Sequence, residues 1–297
     1  MRRTPLFGLL ERSLVLATLL LFAQFTQAAG ERLLFWRVDT PGATVYLLGS
    51  MHLASPDLYP LRAEILTAFE GADALAVELD VEARAFEIQQ RMLERGTYPP
   101  GETLQDTLAP ETWQALAARL ESSGLPPMLM QSLKPGLVVT TLSTMELIKM
   151  GLNPEQGVDR YFLNLARGSK EIVELETVDA QLDVVLDTTQ PDLLVQQTLA
   201  QLDDMETIMS QLVDYWQSGD SEGLARLVIE DELEKYPEFR DLHRRMFDDR
   251  NHAMTDRIVE MQARGGTWFV VVGAGHLVGD QGIVSMLQRR GQSLRQL

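Results

Sequence analysis

Two stretches decide the fold: Val45-Tyr46-Leu47-Leu48-Gly49-Ser50-Met51-His52 and Trp268-Phe269-Val270-Val271-Val272-Gly273-Ala274-Gly275-His276. Each is a short β-branched and aromatic run, the pattern of a buried strand, closed by a glycine that lets the backbone turn sharply. Each therefore sets a histidine just past the C-terminal end of a strand. In open α/β sheets that edge is where ligands bind. The chain holds four histidines, and two of them share this setting.

Working outward, Leu33 to Val38 and Thr44 to Leu48 read as a hairpin closed by Asp39-Thr40-Pro41-Gly42. A helix follows over Leu61 to Glu70, then a strand over Ala74 to Leu79, which makes a parallel strand–helix–strand unit. Helical spacing governs the stretch from about 82 to 151, where Leu104, Leu108, Trp113, Leu116 and Leu120 mark amphipathic faces. Gly157 to Arg167 reads as a helix and Glu171 to Leu175 as a strand. Helical patterns return over Pro191 to Gln217, Glu222 to Glu230 and Asp241 to Arg264, and the last helix covers Gln281 to Arg290. The expectation is an α/β protein: a mostly parallel or mixed sheet built from both chain ends, flanked by helices, with a large helical insertion at about 82–151. Methionines at helical spacing, such as Met205 and Met209, read as core packing.

The chain has 297 residues, 45% of them hydrophobic, a formal net charge of -17 and no cysteine. Residues 1–28 have the form of an export signal, with Arg2, Arg3 and Arg12 flanking an apolar core from Leu14 to Ala23, and Thr26-Gln27-Ala28 at the cleavage position. Its removal takes away three Arg and one Glu, leaving 23 basic against 42 acidic residues in a single domain over 29–297. A periplasmic or secreted location follows as an expectation, without stable membrane insertion after cleavage. Such an acidic surface disfavours nucleic acid and anionic lipid as partners. The absence of cysteine excludes thiolate metal sites and cysteine nucleophiles.

His52 and His276 are the first candidates for chemistry, as metal ligands or as general bases. Glu78, at the end of the third strand, is brought by parallel polarity to the same edge. There it would act as a ligand or as the acceptor of a proton from water; Asp80, two residues on, shares that edge. Arg250 and Asn251 flank a buried stripe of Phe247, Met254, Ile258 and Met261, where an inward arginine would hold negative charge. His243 and His252 lack a strand-end setting and read as surface residues. Gly273-x-Gly275 followed by Gly279 fails the dinucleotide spacing, and neither Gly-x-Ser-x-Gly nor His-Glu-x-x-His occurs.

Taken in order, six segments resemble the TraB/GumN family, which includes the pheromone-shutdown protein TraB and the animal TIKI proteins. They are Leu48-Gly49-Ser50-Met51-His52, Val77-Glu78-Leu79-Asp80, Gly157-Val158-Asp159, Leu175-Glu176-Thr177 with Gln181, Asp249-Arg250-Asn251, and Gly273-Ala274-Gly275-His276-Leu277. The resemblance also reaches the erythromycin esterase-like and ChaN-like proteins, whose paired Gly-x-x-His motifs and glutamate converge on one site. It implies a metal-dependent hydrolase of the peptidase type, with His52, His276 and Glu78 holding a divalent ion (manganese, cobalt or zinc). Glu78, Arg250 and Asn251 would be catalytic or supporting residues, joined by Glu176 and Gln181, acting on a peptide or small-molecule substrate. Two alternatives stay open: a metal-free esterase-like hydrolase, and a non-catalytic protein that sequesters a peptide or haem-like ligand.

Overall fold

The computed structural model describes residues 32–186 and 189–297; the expected export signal at 1–28 lies outside them. Six strands form one sheet in the order β4-β3-β5-β2-β1-β6. They are β1 (Phe35–Thr40), β2 (Ala43–Ser50), β3 (Ala74–Val77), β4 (Glu171–Glu174), β5 (Gly266–Gly273) and β6 (Leu294–Gln296). The four strands β4, β3, β5 and β2 run parallel, while β1 and β6 are antiparallel additions at the other side. The sheet is therefore mixed and draws on both chain ends, as the strand runs predicted. The hairpin turns at Pro41-Gly42, where Gly42 takes a φ of 90°, a value that favours glycine. β6 is too short and too polar to have been read as a strand. It is held as an edge by pairing Trp36, Arg37 and Val38 with Gln296, Arg295 and Leu294.

β5 is the middle of the sheet and is buried over its last six residues, as a parallel strand covered on both faces requires. Helix α1 (Ala63–Glu70) links β2 to β3. Helices α2 (Ala85–Gly96), α3 (Pro110–Ser122), α4 (Pro135–Lys149) and α5 (Val158–Ala166) lie between β3 and β4. Helices α6 (Val178–Val185), α7 (Pro191–Ser218) and α8 (Asp249–Arg264) lie between β4 and β5, and α9 (Ile283–Arg289) follows β5. The helical material thus enters in two blocks, with the second as long as the first.

Phe269 of β5 carries the sheet core. Its ring lies 4.8 Å from Phe162 on α5, 5.4 Å from Phe69 on α1 and 5.9 Å from Phe35 on β1, centroid to centroid. Contacts of this kind add to what burial of the rings already contributes. The helical blocks have a core of their own, with Leu104, Leu116, Leu120, Val138, Leu142 and Val195 among its buried members. Trp216, near the end of α7, donates its indole N–H to the Gly49 carbonyl at 2.7 Å, which ties the helical cover to the glycine of the first motif. Among the described residues no helix is long and apolar enough to cross a membrane.

Candidate functional site

The four parallel strands end at one edge, and each delivers a polar residue just past its last paired position. β2 and β5 pair Gly49 with Val272 and Ser50 with Gly273, so His52 and His276 leave neighbouring strand ends. β3 pairs Val77 with Val271, which puts Glu78 one residue short of Gly273 on the neighbouring strand; the Gly273 amide donates to Glu78 Oε1 at 2.6 Å. β4 continues the ladder, with the Glu176 amide donating to the Glu78 carbonyl at 3.0 Å. Close packing of the two motifs needs small residues: a Cβ at Gly49 would come within 3.1 Å of the Ala274 Cβ.

Gly273 marks the point of convergence. A Cβ built there would lie 3.2 Å from Glu78 Oε1, 3.4 Å from His276 Cδ2 and 3.5 Å from His52 Nε2. His276 Nε2 and Glu78 Oε1 are 3.9 Å apart. The sequence expectation that these three meet holds in the fold. Among the described residues, however, no three His, Asp or Glu side chains already stand at metal-ligand spacing.

The orientation of each imidazole is set from behind. Asn251, in the first turn of α8, donates Nδ2 to the Gln281 carbonyl at 2.8 Å, which turns its Oδ1 toward His276 Nδ1 at 2.6 Å. An amide oxygen can only accept, so His276 carries its proton on Nδ1 and directs the Nε2 lone pair at the centre. His276 is 4% exposed, and that burial, aided by Arg250 and opposed by Glu78, lowers its pKa below the usual 6.5. It is neutral at pH 7.

His52 takes the opposite state. Its Nδ1 lies 3.4 Å from Asp159 Oδ2, and Asp159 Oδ1 accepts from Ser50 Oγ at 3.0 Å. The ring is enclosed by the cavity walls yet open to the cavity, with 56% of the side chain accessible. Enclosure works against its charge, but the Asp159 bond and the negative charges of Glu78 and Asp159 outweigh it, raising the pKa to about 9. Asp159 was not singled out in the sequence for a role. Its signal was Gly157-Val158-Asp159: Gly157 passes so close to the loop that a Cβ would meet the His52 carbonyl at 2.4 Å.

Glu78 is 6% exposed. Burial opposes its ionisation, but His276, His52, Arg250 and the Gly273 amide hold its carboxyl down to about 2. Arg250 donates Nη2 to Glu78 Oε2 at 2.6 Å, forks onto Glu176 through Nε at 2.7 Å and Nη2 at 2.6 Å, and donates Nη1 to the Met246 carbonyl. Gln181 Nε2 bridges Glu78 Oε2 at 3.3 Å and Glu176 Oε2 at 3.2 Å. The guanidinium is thus directed at two buried carboxylates and acts as the clamp of Glu78. Asp80 turns away from the centre to accept from Arg167 at 2.6 and 2.9 Å.

The centre opens on a cavity of about 730 Å³ walled by α4, α7 and the segment 227–250, a size ordinary for small-molecule sites. Met205 and Met209, read in the sequence as core packing, line it. So does His243, which corrects its reading as a surface residue; His252 is exposed as expected. The His243 ring stacks 4.8 Å from Phe247, which in turn lies 5.3 Å from the His276 ring. Its Nε2 is buried with no hydrogen-bond partner, and burial lowers its pKa. Removing an unsatisfied buried nitrogen relieves about 1 kcal/mol or more. His243→Phe is therefore expected to raise the melting temperature by about 2–4 °C, read by calorimetry; a lower melting temperature would refute that account.

The TraB/PrgY/gumN family model matches residues 34–296, the span that contains every residue of this site. The uncharacterized protein YbaP of Escherichia coli (strain K12) is 26% identical over 245 residues, 82% of this chain and 87% of its own. An uncharacterized protein of Treponema pallidum (strain Nichols) is 23% identical over 274 residues, 86% of this chain and 80% of its own. No solved structure matches.

Proposed function

The chain belongs to the TraB/PrgY/gumN family, and from that premise we propose that it is a hydrolase, of the peptidase type, whose centre is His52, Glu78 and His276. The observation that carries this reading is the convergence of the three side chains on Gly273 from three adjacent strand ends. Hydrolysis needs a water brought to a polarised carbonyl, a group to take its proton and a group to protonate what leaves.

The donor set suits a divalent ion such as manganese, cobalt or zinc. Both imidazoles have Nδ1 engaged by a protein oxygen, Asp159 or Asn251, which leaves both Nε2 atoms for ligation. Glu78, Asp159 and Glu176 against Arg250 leave the surroundings negative, and the same field that raises His52 favours a cation. His52, His276 and Glu78 would hold the ion, which when bound supplies a water ionising near neutral pH. Arg250 and Gln181 then fix Glu78, Asn251 fixes His276, and Asp159 fixes His52.

One observation favours a second reading without an ion. The environments push the two histidine pKa values apart, His52 up to about 9 and His276 below its ordinary value. Such a split assigns an acid and a base. His276 Nε2 would take the proton of the attacking water, and His52 would return one to the leaving group.

The deciding experiment incubates the protein with a pool of peptides and esters, follows new termini by mass spectrometry, and measures bound metal in parallel. New products from wild type and none from folded His52→Ala/His276→Ala are expected. Bound ligand with no products would turn the reading to a sequestering protein. A single added methyl gives a second check. Gly273 has φ -48° and ψ 135°, which alanine also adopts. Gly273→Ala is expected to fold normally and lose about 10²-fold in turnover, because the methyl takes the space where a reacting group must sit. Full turnover in that variant would move the centre elsewhere.

A further inference from the structure

Besides the charged groups of the centre itself, the cavity has one more charged side chain, in a stretch of wall that is otherwise largely apolar. Met205, Met209, Leu227, Val228 and Leu233 line it, and Glu232 lies among them. Gln197 and Gln201, one turn apart on α7, each donate Nε2 to Glu232 Oε2 at 2.9 Å. Two neutral amides on one oxygen fix the carboxylate without neutralising it. Among the described residues its other oxygen, Oε1, receives no protein donor and no Lys or Arg pairs with it. Lys235, three residues on, feels the charge of Glu232 but comes within ion-pair distance of Asp204 instead, 3.9 Å away, with 58% of its side chain exposed.

A part-buried carboxylate in a largely apolar cavity wall, held by two neutral amides with one oxygen given no protein donor among the described residues, presents charge for a ligand to meet. The residues that hold it sit well up α7 from the point where that helix is anchored to the sheet. Trp216 anchors the end of α7 on Gly49, and Gln201 lies 15 residues earlier, roughly 22 Å along the helix axis at 1.5 Å per residue. The geometry points to Glu232 as a subsite for a cationic group. The ligand of this cavity is then a molecule with an ammonium at one end of an apolar body and its hydrolysable group at the other. Placement of the hydrolysable group rests on the hydrolytic assignment; ammonium capture by Glu232 does not.

An ammonium donates to Oε1 and adds an ion pair with the carboxylate that an alcohol of the same length lacks. Binding of n-octylammonium, 1-octanol and methylammonium to the whole protein at pH 7, followed by calorimetry or ligand-observed NMR, separates the contributions. Wild type is expected to hold octylammonium at least about 10-fold tighter than octanol, and methylammonium only weakly. Glu232→Gln should bring octylammonium down to the octanol level and leave octanol unchanged. Gln201→Lys, which places a resident ammonium beside the carboxylate, should block octylammonium and spare octanol. His276→Ala, impaired in turnover, should bind octylammonium as wild type does, so the subsite is read independently of hydrolysis. Equal affinity of wild type for octylammonium and octanol overturns the proposal. So does equal weakening of both by Glu232→Gln, which makes the residue a structural tie only. Octylammonium binding that survives Glu232→Gln also overturns it, by assigning capture to the acidic surface.

Discussion

Replacing Arg250 with methionine is expected to remove about 3–5 kcal/mol of stability at pH 7, the largest loss from any single substitution at this centre. Glu78, Glu176 and Arg250 have side chains 7%, 3% and 16% exposed, so the guanidinium is the countercharge of two carboxylates that water scarcely reaches. Methionine keeps the packing, strips Glu176 of its fork and leaves Glu78 with His52 as its remaining cation. The pH dependence identifies the cause. In wild type the Glu78 carboxyl is held down to about 2 from 4.5, so its contribution is present above pH 4.5 and is lost as pH falls toward 2. Without Arg250 the Glu78 carboxyl loses one of the groups that hold it down and rises toward 4.5, so the variant has less of this contribution left to lose as pH falls. The gap between wild type and Arg250→Met should therefore narrow from pH 7 to pH 3, measured as denaturation midpoints. Adding Glu176→Gln to Arg250→Met should recover part of the loss. A gap under 1 kcal/mol at pH 7, or one unchanged at pH 3, would show that the fork contributes little.

How far this centre could be read in advance depends on the range of each contact. The strand ends were legible because β-branched runs closed by glycine report local geometry, and parallel pairing then brings His52, Glu78 and His276 to one edge without further information. The pairing of Arg250 with Glu78 and Glu176 was not legible, since it joins residues 172 and 74 positions apart and no periodicity carries that. His243 could have been found. It lies four residues before Phe247, one turn along the same face, and Phe247 had been assigned to the buried stripe. The histidine lies immediately before a π-helical stretch, Arg244–Asp248, whose hydrogen bonds run to the fifth residue on, so the usual spacing slips and that face is harder to follow. The cavity has no sequence signal at all. Met205 and Met209 keep the same helical spacing whether they face a packed neighbour or an empty space, so a wall of the chamber reads as core.

His276→Ala is expected to fold and to lose on the order of 10³-fold in turnover, within the range of a removed general base. Its ring makes one strong tertiary bond, from Nδ1 to Asn251, and its loss leaves Asn251 Oδ1 to a water entering from the cavity. Nearly all of the effect should fall on the reaction. The way the loss arises separates the two hydrolytic readings. If an ion is held, His276→Ala lowers metal content together with turnover, and excess metal restores part of both. If the histidines act alone, metal content is unaffected and chelation of wild type changes nothing. Histidine titration gives the independent sign. In ion-free protein His52 should lose its proton near pH 9. Turnover then falls as pH rises through that value, because the acid is spent, and falls at acid pH as His276 takes up a proton below 6.5. Zinc ligation at Nε2 requires the neutral ring, so His52 in loaded protein should show no titration up to pH 9 by NMR. A His52 titration that zinc does not move, together with turnover that chelators do not touch, would remove the metal from the mechanism and leave the paired imidazoles as the whole of it.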